Sequence, residues 1–584
     1  MFKLMKNFTK KEKIFVLISI VLIVGQVWLE LKLPDYMSNI TMLVQTKGSE
    51  ISAIYREGIF MLLCAFGSLI LNAFKNYTAS YVGGSFEKNL RRRLFKKVGT
   101  FSMEEIKKFS TSSLITRNTN DITQVKMFIT MAIQMMAKAP IMAVMAIVKI
   151  LNKQFVFSMI TLVGVLLILI INFVVIIIAI PKFKKIQTLT DNLNRVTREN
   201  LTGLKVVRAY NAEDYELKKF NKANNELTDT HLFVQKIMAF IGPFMSSIMQ
   251  FLSLAIYFTG AFLIEKAAIT DKLNIFSDMV VFSSYSIQVI MSFMVLVMIF
   301  IIYPRAAVSA KRINEVIEVE PKIKDGNINK DTTKLKGIIE FVNVSFKYPD
   351  AEEYILKNIN FKVEQGETIA IIGSTGSGKS TLINLIPRLY DATEGTVLVD
   401  GVDVKNMKLE YLYNKIGYIT QKAFLFKGTV KSNITFGKTK HGKVKKDNIP
   451  KALKIAQADF VNKMDKGIDS EIAQSGNNVS GGQKQRLSIA RAIARDPEIY
   501  IFDDSFSALD YKTDYKLRKE LNKYTKGATK FIVAQRIGTI KDADKIIVLD
   551  DGKCVGIGKH ENLLKECKVY REIAESQLSK EELA

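Results

Sequence analysis

The sequence predicts a multidomain membrane protein in two unlike halves. An all-α six-helix transmembrane domain with long cytoplasmic extensions comes first, and an α/β domain carrying a phosphate-binding loop follows. Three observations lead there. Six apolar stretches fall within the first 303 residues. From about residue 337 the pattern changes to short β-branched runs alternating with helical segments. Between two such segments lies Gly373-Ser-Thr-Gly-Ser-Gly-Lys-Ser380. Composition agrees: 48% of the 584 residues are hydrophobic and the mean hydropathy is +0.12, too apolar for a soluble chain and too polar for one wholly in lipid. The expected division is 1–320 for the membrane domain, 321–336 for a linker opened by Pro321, and 337–584 for the nucleotide domain.

The apolar stretches run approximately over 14–33, 59–81, 125–150, 155–180, 237–264 and 276–303, each long enough to cross a bilayer. Basic residues orient them. Lys3, Lys6, Lys10, Lys11 and Lys13 precede the first stretch, and Lys88, Arg91, Arg92, Arg93, Lys96 and Lys97 lie between the second and third. Lys182, Lys184 and Lys185 follow the fourth, and Arg305, Lys311 and Arg312 follow the sixth. The intervening loops on the other side are short and nearly charge-balanced, so both termini are expected in the cytoplasm. Segments 82–124 and 181–235 are too long for turns and read as charged helices that prolong the spans into stalks.

The formal net charge of +26 suits a nucleic acid or an anionic membrane surface. With six spans present, a bilayer is the expected partner and a nucleic acid is not. Cys64, Cys554 and Cys567 match neither a zinc site nor a disulfide framework, and are read as reduced thiols.

The loop has the pattern G-x-x-x-x-G-K-[ST] in the strand–loop–helix setting that pattern needs. The binding residues are Gly373, Ser374, Thr375, Gly376, Ser377, Gly378, Lys379, Ser380 and Thr381. Glycines let backbone N–H groups wrap phosphates, Lys379 reaches the β/γ oxygens, and the Ser380 hydroxyl is a Mg²⁺ ligand, so ATP and Mg²⁺ are the expected cofactors. About a hundred residues later stands Val479-Ser-Gly-Gly-Gln483. A phosphate loop followed by Ser480, Gly481, Gly482 and Gln483 resembles the ATP-binding-cassette (ABC) family, in which one subunit's signature closes over ATP held by another. Six spans followed by a cassette is similar to an exporter-type half-transporter over the whole chain, and implies an α/β P-loop NTPase cassette working as half of a dimer.

The resemblance implies roles for further residues. Tyr348 lies where an aromatic stacks on adenine, and Gln421 matches the loop glutamine that approaches Mg²⁺. Asp503 ends an apolar strand where a carboxylate orders the metal, and Ser507-Ala-Leu-Asp510 is similar to the loop that contacts the opposite cassette. Residues 108–117 with Asn120-Asp121, and 198–215, resemble the two intracellular coupling segments, with a short docking helix expected near 211–216. Residues 471–478 match the family's cross-contact loop only in part.

Two positions depart from the family, both in the catalytic group of Asp504, Gln535 and Gln421. A glutamate normally follows the strand carboxylate, and here it is Asp504; the usual switch histidine is Gln535. Asp withdraws its carboxylate by roughly an ångström, a misplacement that can cost about a hundredfold in rate. Gln cannot carry an imidazole's proton, and none of His231, His441 and His560 is placed to replace it. The chain therefore resembles the degenerate-site subunit of heterodimeric bacterial multidrug ABC exporters, with hydrolysis mainly at the site of a second half-transporter that carries the catalytic Glu and switch His.

Within the spans, Glu30, Lys75 and Lys138 are ionisable groups that a membrane tolerates only when they face a cavity or a partner, and Gln26, Asn72 and Gln250 are their neutral companions. Methionines and phenylalanines of spans three, five and six are expected to line an adaptable apolar pocket. The resulting expectation is a subunit of an ATP-driven exporter in a bacterial cell membrane, moving amphipathic small molecules such as drugs or lipids outward. A peptide exporter, or an ATP-gated channel or sensor, is the alternative.

Overall fold

The computed structural model describes residues 1–46, 48–151, 155–331, 333–439 and 442–578. Two compact units emerge, one of residues 1–99 and 111–319, the other of 100–110 and 320–584.

The described residues of the first unit are helical with short connections, and among them six helices are long and apolar enough to cross a membrane. They are Lys10–Gln45, Ile51–Val98, Thr111–Ile150, Phe155–Val175, Glu213–Lys266 and Asp271–Val295. Long apolar side chains such as Leu17, Leu62, Phe66, Ile170 and Phe258 point outward, as a lipid-facing surface requires. Continuous helix runs well past the apolar stretches: Ile51–Val98 and Phe155–Thr202 hold 48 residues each. At 1.5 Å per residue that is about 72 Å, more than twice the roughly 30 Å hydrocarbon core.

Local chemistry sets the helix boundaries. Thr9 caps the first long helix in a capping box with Glu12. The same Glu12 is buried and also accepts from Ser85 Oγ (2.7 Å) and Asn89 Nδ2 (3.0 Å), joining this helix to the next. In the third span the backbone widens to a π-turn over Ala132–Met136, with Ala137 N bonded to Ala132 O. Pro140, which has no N–H to give to the carbonyl four residues back, stands just beyond. The short helix expected near 211–216 is displaced. It is Leu204–Ala209, and residues 213–216 instead form the first turn of Glu213–Lys266. Gly203 breaks the preceding helix, and Asn211, at φ 50°, takes the left-handed turn that Asn tolerates.

The second unit is α/β. Its larger sheet runs Lys553–Gly558, Lys545–Asp550, Thr368–Gly373, Thr529–Val533, Ile499–Asp503, Ile416–Ile419, parallel except at its first strand. The near-continuous apolar strands are buried on both faces, as parallel sheets demand. A four-stranded antiparallel sheet, including Ile339–Phe346 and Leu356–Val363, shares a core with one face of the larger sheet and with helix Lys379–Leu385. Lys415, 2% exposed, anchors this unit through Asp400 (2.7 Å), Asp331 (2.8 Å) and Glu498 (2.9 Å). Residues 100–110 belong to this unit. Their helix Met103–Phe109 is capped by Ser102, and the backbone N–H of Lys322 donates to Glu105 (3.1 Å).

Candidate functional site

The phosphate loop leaves the buried strand Thr368–Gly373, which lies between Thr529–Val533 and Lys545–Asp550, and enters helix Lys379–Leu385. Gly376 (φ +89°) and Gly378 (φ +97°) hold left-handed backbone. A Cβ at Gly378 would meet Leu356 Cδ2 at 2.8 Å, whereas Gly376 faces open space. Ser374, Thr375 and Gly376 are exposed, so the loop presents its backbone outward. Lys379 Nζ folds over the loop and donates to the carbonyls of Gly373 (2.8 Å) and Ser374 (2.7 Å). Burial lowers its pKa, while Asp504 and Asp503 oppose that shift. Among the described residues Ser377 Oγ is buried with no partner, an orphan that phosphate oxygens could satisfy.

Ser380 Oγ donates to Asp503 Oδ1 (2.8 Å), and burial raises the Asp503 pKa against that bond. A hydroxyl beside a carboxylate suits Mg²⁺, which takes few protein oxygens and completes its shell with phosphate and water. Asp504 adjoins at φ 44° and is buried, its N–H bonded to Val533 O (3.1 Å). Its Oδ2 accepts from Gln421 Nε2 (3.3 Å) and from Gln535 Nε2 (3.0 Å). The three predicted catalytic residues thus meet at Asp504, to which Gln421 is turned; among the described residues Gln421 has no bond to Ser380 or Asp503. Of the histidines, His560 is bonded to Tyr570 (2.7 Å), His231 lies on the helix Glu213–Lys266, and His441 is outside the described residues.

Tyr348 donates to or accepts from Thr381 Oγ1 (3.1 Å), and Phe346 and Tyr390 pack on it at right angles. Lys107, from Met103–Phe109, places its ammonium 4.5 Å from the ring centroid. No motif in the sequence announces that cation–π contact, since it arises only from the fold. Ser480 caps the fourteen-residue helix Gly481–Ala494, and Ser480 and Gly481 are exposed. Its hydroxyl accepts from Gln483 N–H (3.3 Å) and its N–H donates to Gln483 Oε1 (2.9 Å). Gly482 follows, with Ala508 O 3.3 Å from where a Cβ would stand.

In the membrane unit, Glu30, Lys75 and Lys138 all border one cavity of about 740 Å³. Gln26 bonds Glu30 (2.8 Å), but Asn72 and Gln250 do not border the cavity. Gln134 and Gln288 do, and went unnoticed because an isolated amide in an apolar span carries no pattern. Among the described residues, the lining methionines come from spans one, two, three and six, with none from span five and no phenylalanine. Helix rotation, which composition does not encode, decides which face turns inward.

Residues 16–315 match the family model described as ABC transporter transmembrane region, and residues 356–507 the one described as ABC transporter. An uncharacterized ABC transporter ATP-binding protein of Mycobacterium tuberculosis is 38% identical over 534 residues, 90% of each chain. Another, from Bacillus subtilis, is 36% identical over 524 residues, 90% of this chain and 89% of its own. The ATP-dependent lipid A-core flippase of Syntrophus aciditrophicus is 29% identical over 521 residues, 87% of this chain and 83% of that one. A solved structure of a bacterial Atm1-family ABC exporter with ATP bound shares the fold: TM-score 0.80 at 22% identity, covering 98% of this chain and 100% of that one.

Proposed function

Because the chain belongs to the ABC transporter family, with membrane domain and ATP-binding cassette on one polypeptide, we propose that it is the degenerate-site half of a heterodimeric exporter. It works in the cell membrane with both termini cytoplasmic, beside a second half-transporter that carries a catalytic Glu and a switch His. The observation that carries this reading is the engagement of Asp504 Oδ2 by both Gln421 and Gln535. A carboxylate that already accepts two amide hydrogen bonds is a poorer base for water, and this one is also a methylene short.

ATP with Mg²⁺ supplies a γ-phosphoryl group open to in-line attack by water. Lys379 and the loop backbone between Gly373 and Gly378 would bind the triphosphate, Ser380 and Asp503 would hold the cation, and Tyr348 would stack on the base. Asp504 and Gln535 leave the water inadequately activated, so nucleotide is held longer than it is split. The signature residues Ser480, Gly481, Gly482 and Gln483, at an exposed helix N-terminus, close over the partner's nucleotide. Substrates are amphipathic small molecules, with lipids favoured by the likeness to a lipid A-core flippase.

The test is ATP turnover by the co-purified pair. Gly481→Asp in this chain should lower it on the order of a hundredfold, as loss of a transition-state contact does, whereas Lys379→Ala should leave most of it. Equal losses from the two substitutions would overturn the asymmetry.

A further inference from the structure

The charges around the membrane cavity do not cancel. Glu30 is fully engaged: Lys138 Nζ lies 2.9 Å from both its oxygens, Gln26 donates at 2.8 Å and Ser68 at 3.3 Å. Counted formally, two lysines stand against one glutamate; Lys138 is the one paired with Glu30, so Lys75 is the lysine left over. That residue is 5% exposed, yet among the described residues its ammonium has no hydrogen-bond or ion-pair partner. An enclosed cation without a counter-ion is costly and marks a place where a charge is meant to arrive. Gln288 Oε1, on the same wall, is buried and also lacks a partner among the described residues. Much of the remaining lining is apolar and adaptable, including five methionines, among them Met61 and Met142.

We propose that this cavity binds amphipathic organic anions, with Lys75 pairing with the anionic group and the methionine-rich wall taking the apolar body. The inference rests on the exporter reading, in which the cavity belongs to the substrate path. A cationic amphiphile is repelled by Lys75, and a neutral one leaves it unpaired. Glu30 opposes an incoming anion, so its neutralisation strengthens binding where loss of Lys75 weakens it.

The experiment measures affinities of matched probes for the full-length chain in phosphatidylcholine nanodiscs without nucleotide. Oleoyl lysophosphatidic acid is compared with monoolein for a lipid source, and para-octylbenzoate with para-octylbenzamide for a soluble one. In at least one pair the anion should bind roughly tenfold more tightly than its neutral twin, as a desolvated charge pair permits, and the pair with the larger ratio identifies the source. Lys75→Met should bring the ratio near one, Lys75→Arg should keep it, and Glu30→Gln should increase it. The last two keep the test decisive if the methionine variant misfolds. Ratios near one in both wild-type pairs, or a preference indifferent to Lys75→Met and Glu30→Gln, overturn the proposal. Because no nucleotide is present, that failure is separate from the failure of the asymmetric-turnover reading, which is read only in ATP hydrolysis.

Discussion

Asp504 and Gln535 stand 31 positions apart in the sequence, and the fold joins them. Seen singly, each concerns one side chain. Together they form a pair at 3.0 Å, with Gln421 as a third member. Replacing Asp504 with Glu alone lengthens the acid but leaves the Gln535 amide bonded to it. Replacing Gln535 with His alone introduces a proton carrier but leaves the shorter acid in place. The double substitution Asp504→Glu with Gln535→His should therefore raise hydrolysis at this site by roughly tenfold or more, beyond the sum of the single changes, as groups acting as a unit do. Single-turnover hydrolysis in a pair whose other site is disabled measures it, and an unchanged rate would show that another group limits the step. The phosphate loop was legible residue by residue because its glycines answer a backbone demand stated in the sequence. Lys107 over Tyr348 was not, since nothing local ties a helix near residue 105 to a ring some 240 positions later.

At the level of elements, the short helix Met103–Phe109 and the Lys415 hub show what holds the cassette unit together. Burial pushes the Glu105 carboxyl up, but hydrogen bonds from the Ser102 hydroxyl and the Lys322 and Ser102 N–H groups outweigh it, and the pKa ends below the ordinary value. A depressed carboxylate contributes stability above its unfolded pKa and loses it as pH falls through the folded one. Protection of the 102–109 amides, corrected for intrinsic exchange, should therefore persist below the usual Glu value of about 4.3 and weaken at neutral pH in Glu105→Gln. Loss of protection already at pH values above 4.3 in the wild type would contradict this. Lys415 presents the opposite balance: burial lowers its pKa, yet Asp331, Asp400 and Glu498 together raise it. Lys415→Met strands the buried Asp400 and should cost about 3–5 kcal/mol, the usual penalty for breaking a buried ion pair. Denaturant unfolding of the full-length protein, followed by a cassette-specific probe, reads that loss, and a midpoint unchanged from wild type would remove the hub from the account. The displaced helix at Leu204–Ala209 teaches the same lesson about elements. Charge and periodicity run unbroken through 198–215, so only the conformations at Gly203 and Asn211 decide where the chain turns.

For the whole molecule, the prediction concerns coupling. Substrate flux into inside-out vesicles, against a gradient and with ATP, should require this chain together with its partner, and this chain alone should hydrolyse ATP poorly. Brisk turnover and transport by the chain purified by itself would end the heterodimer reading. The sequence by itself determined the class of architecture, because six apolar runs in lipid and a G-x-x-x-x-G-K-S loop after a β-branched strand leave little freedom: unsatisfied backbone in hydrocarbon is prohibitive, and so is a Cβ at Gly378, where the backbone is left-handed and Leu356 stands 2.8 Å away. It also supplied the list of charged residues in the spans. Only the tertiary structure decided that Glu30 is answered by Lys138 while Lys75 is left over, and that Asp504 is bonded by Gln535. Pairing depends on helix rotation and on which strands lie side by side, which are properties of distant segments packing together and are written in no single stretch of chain.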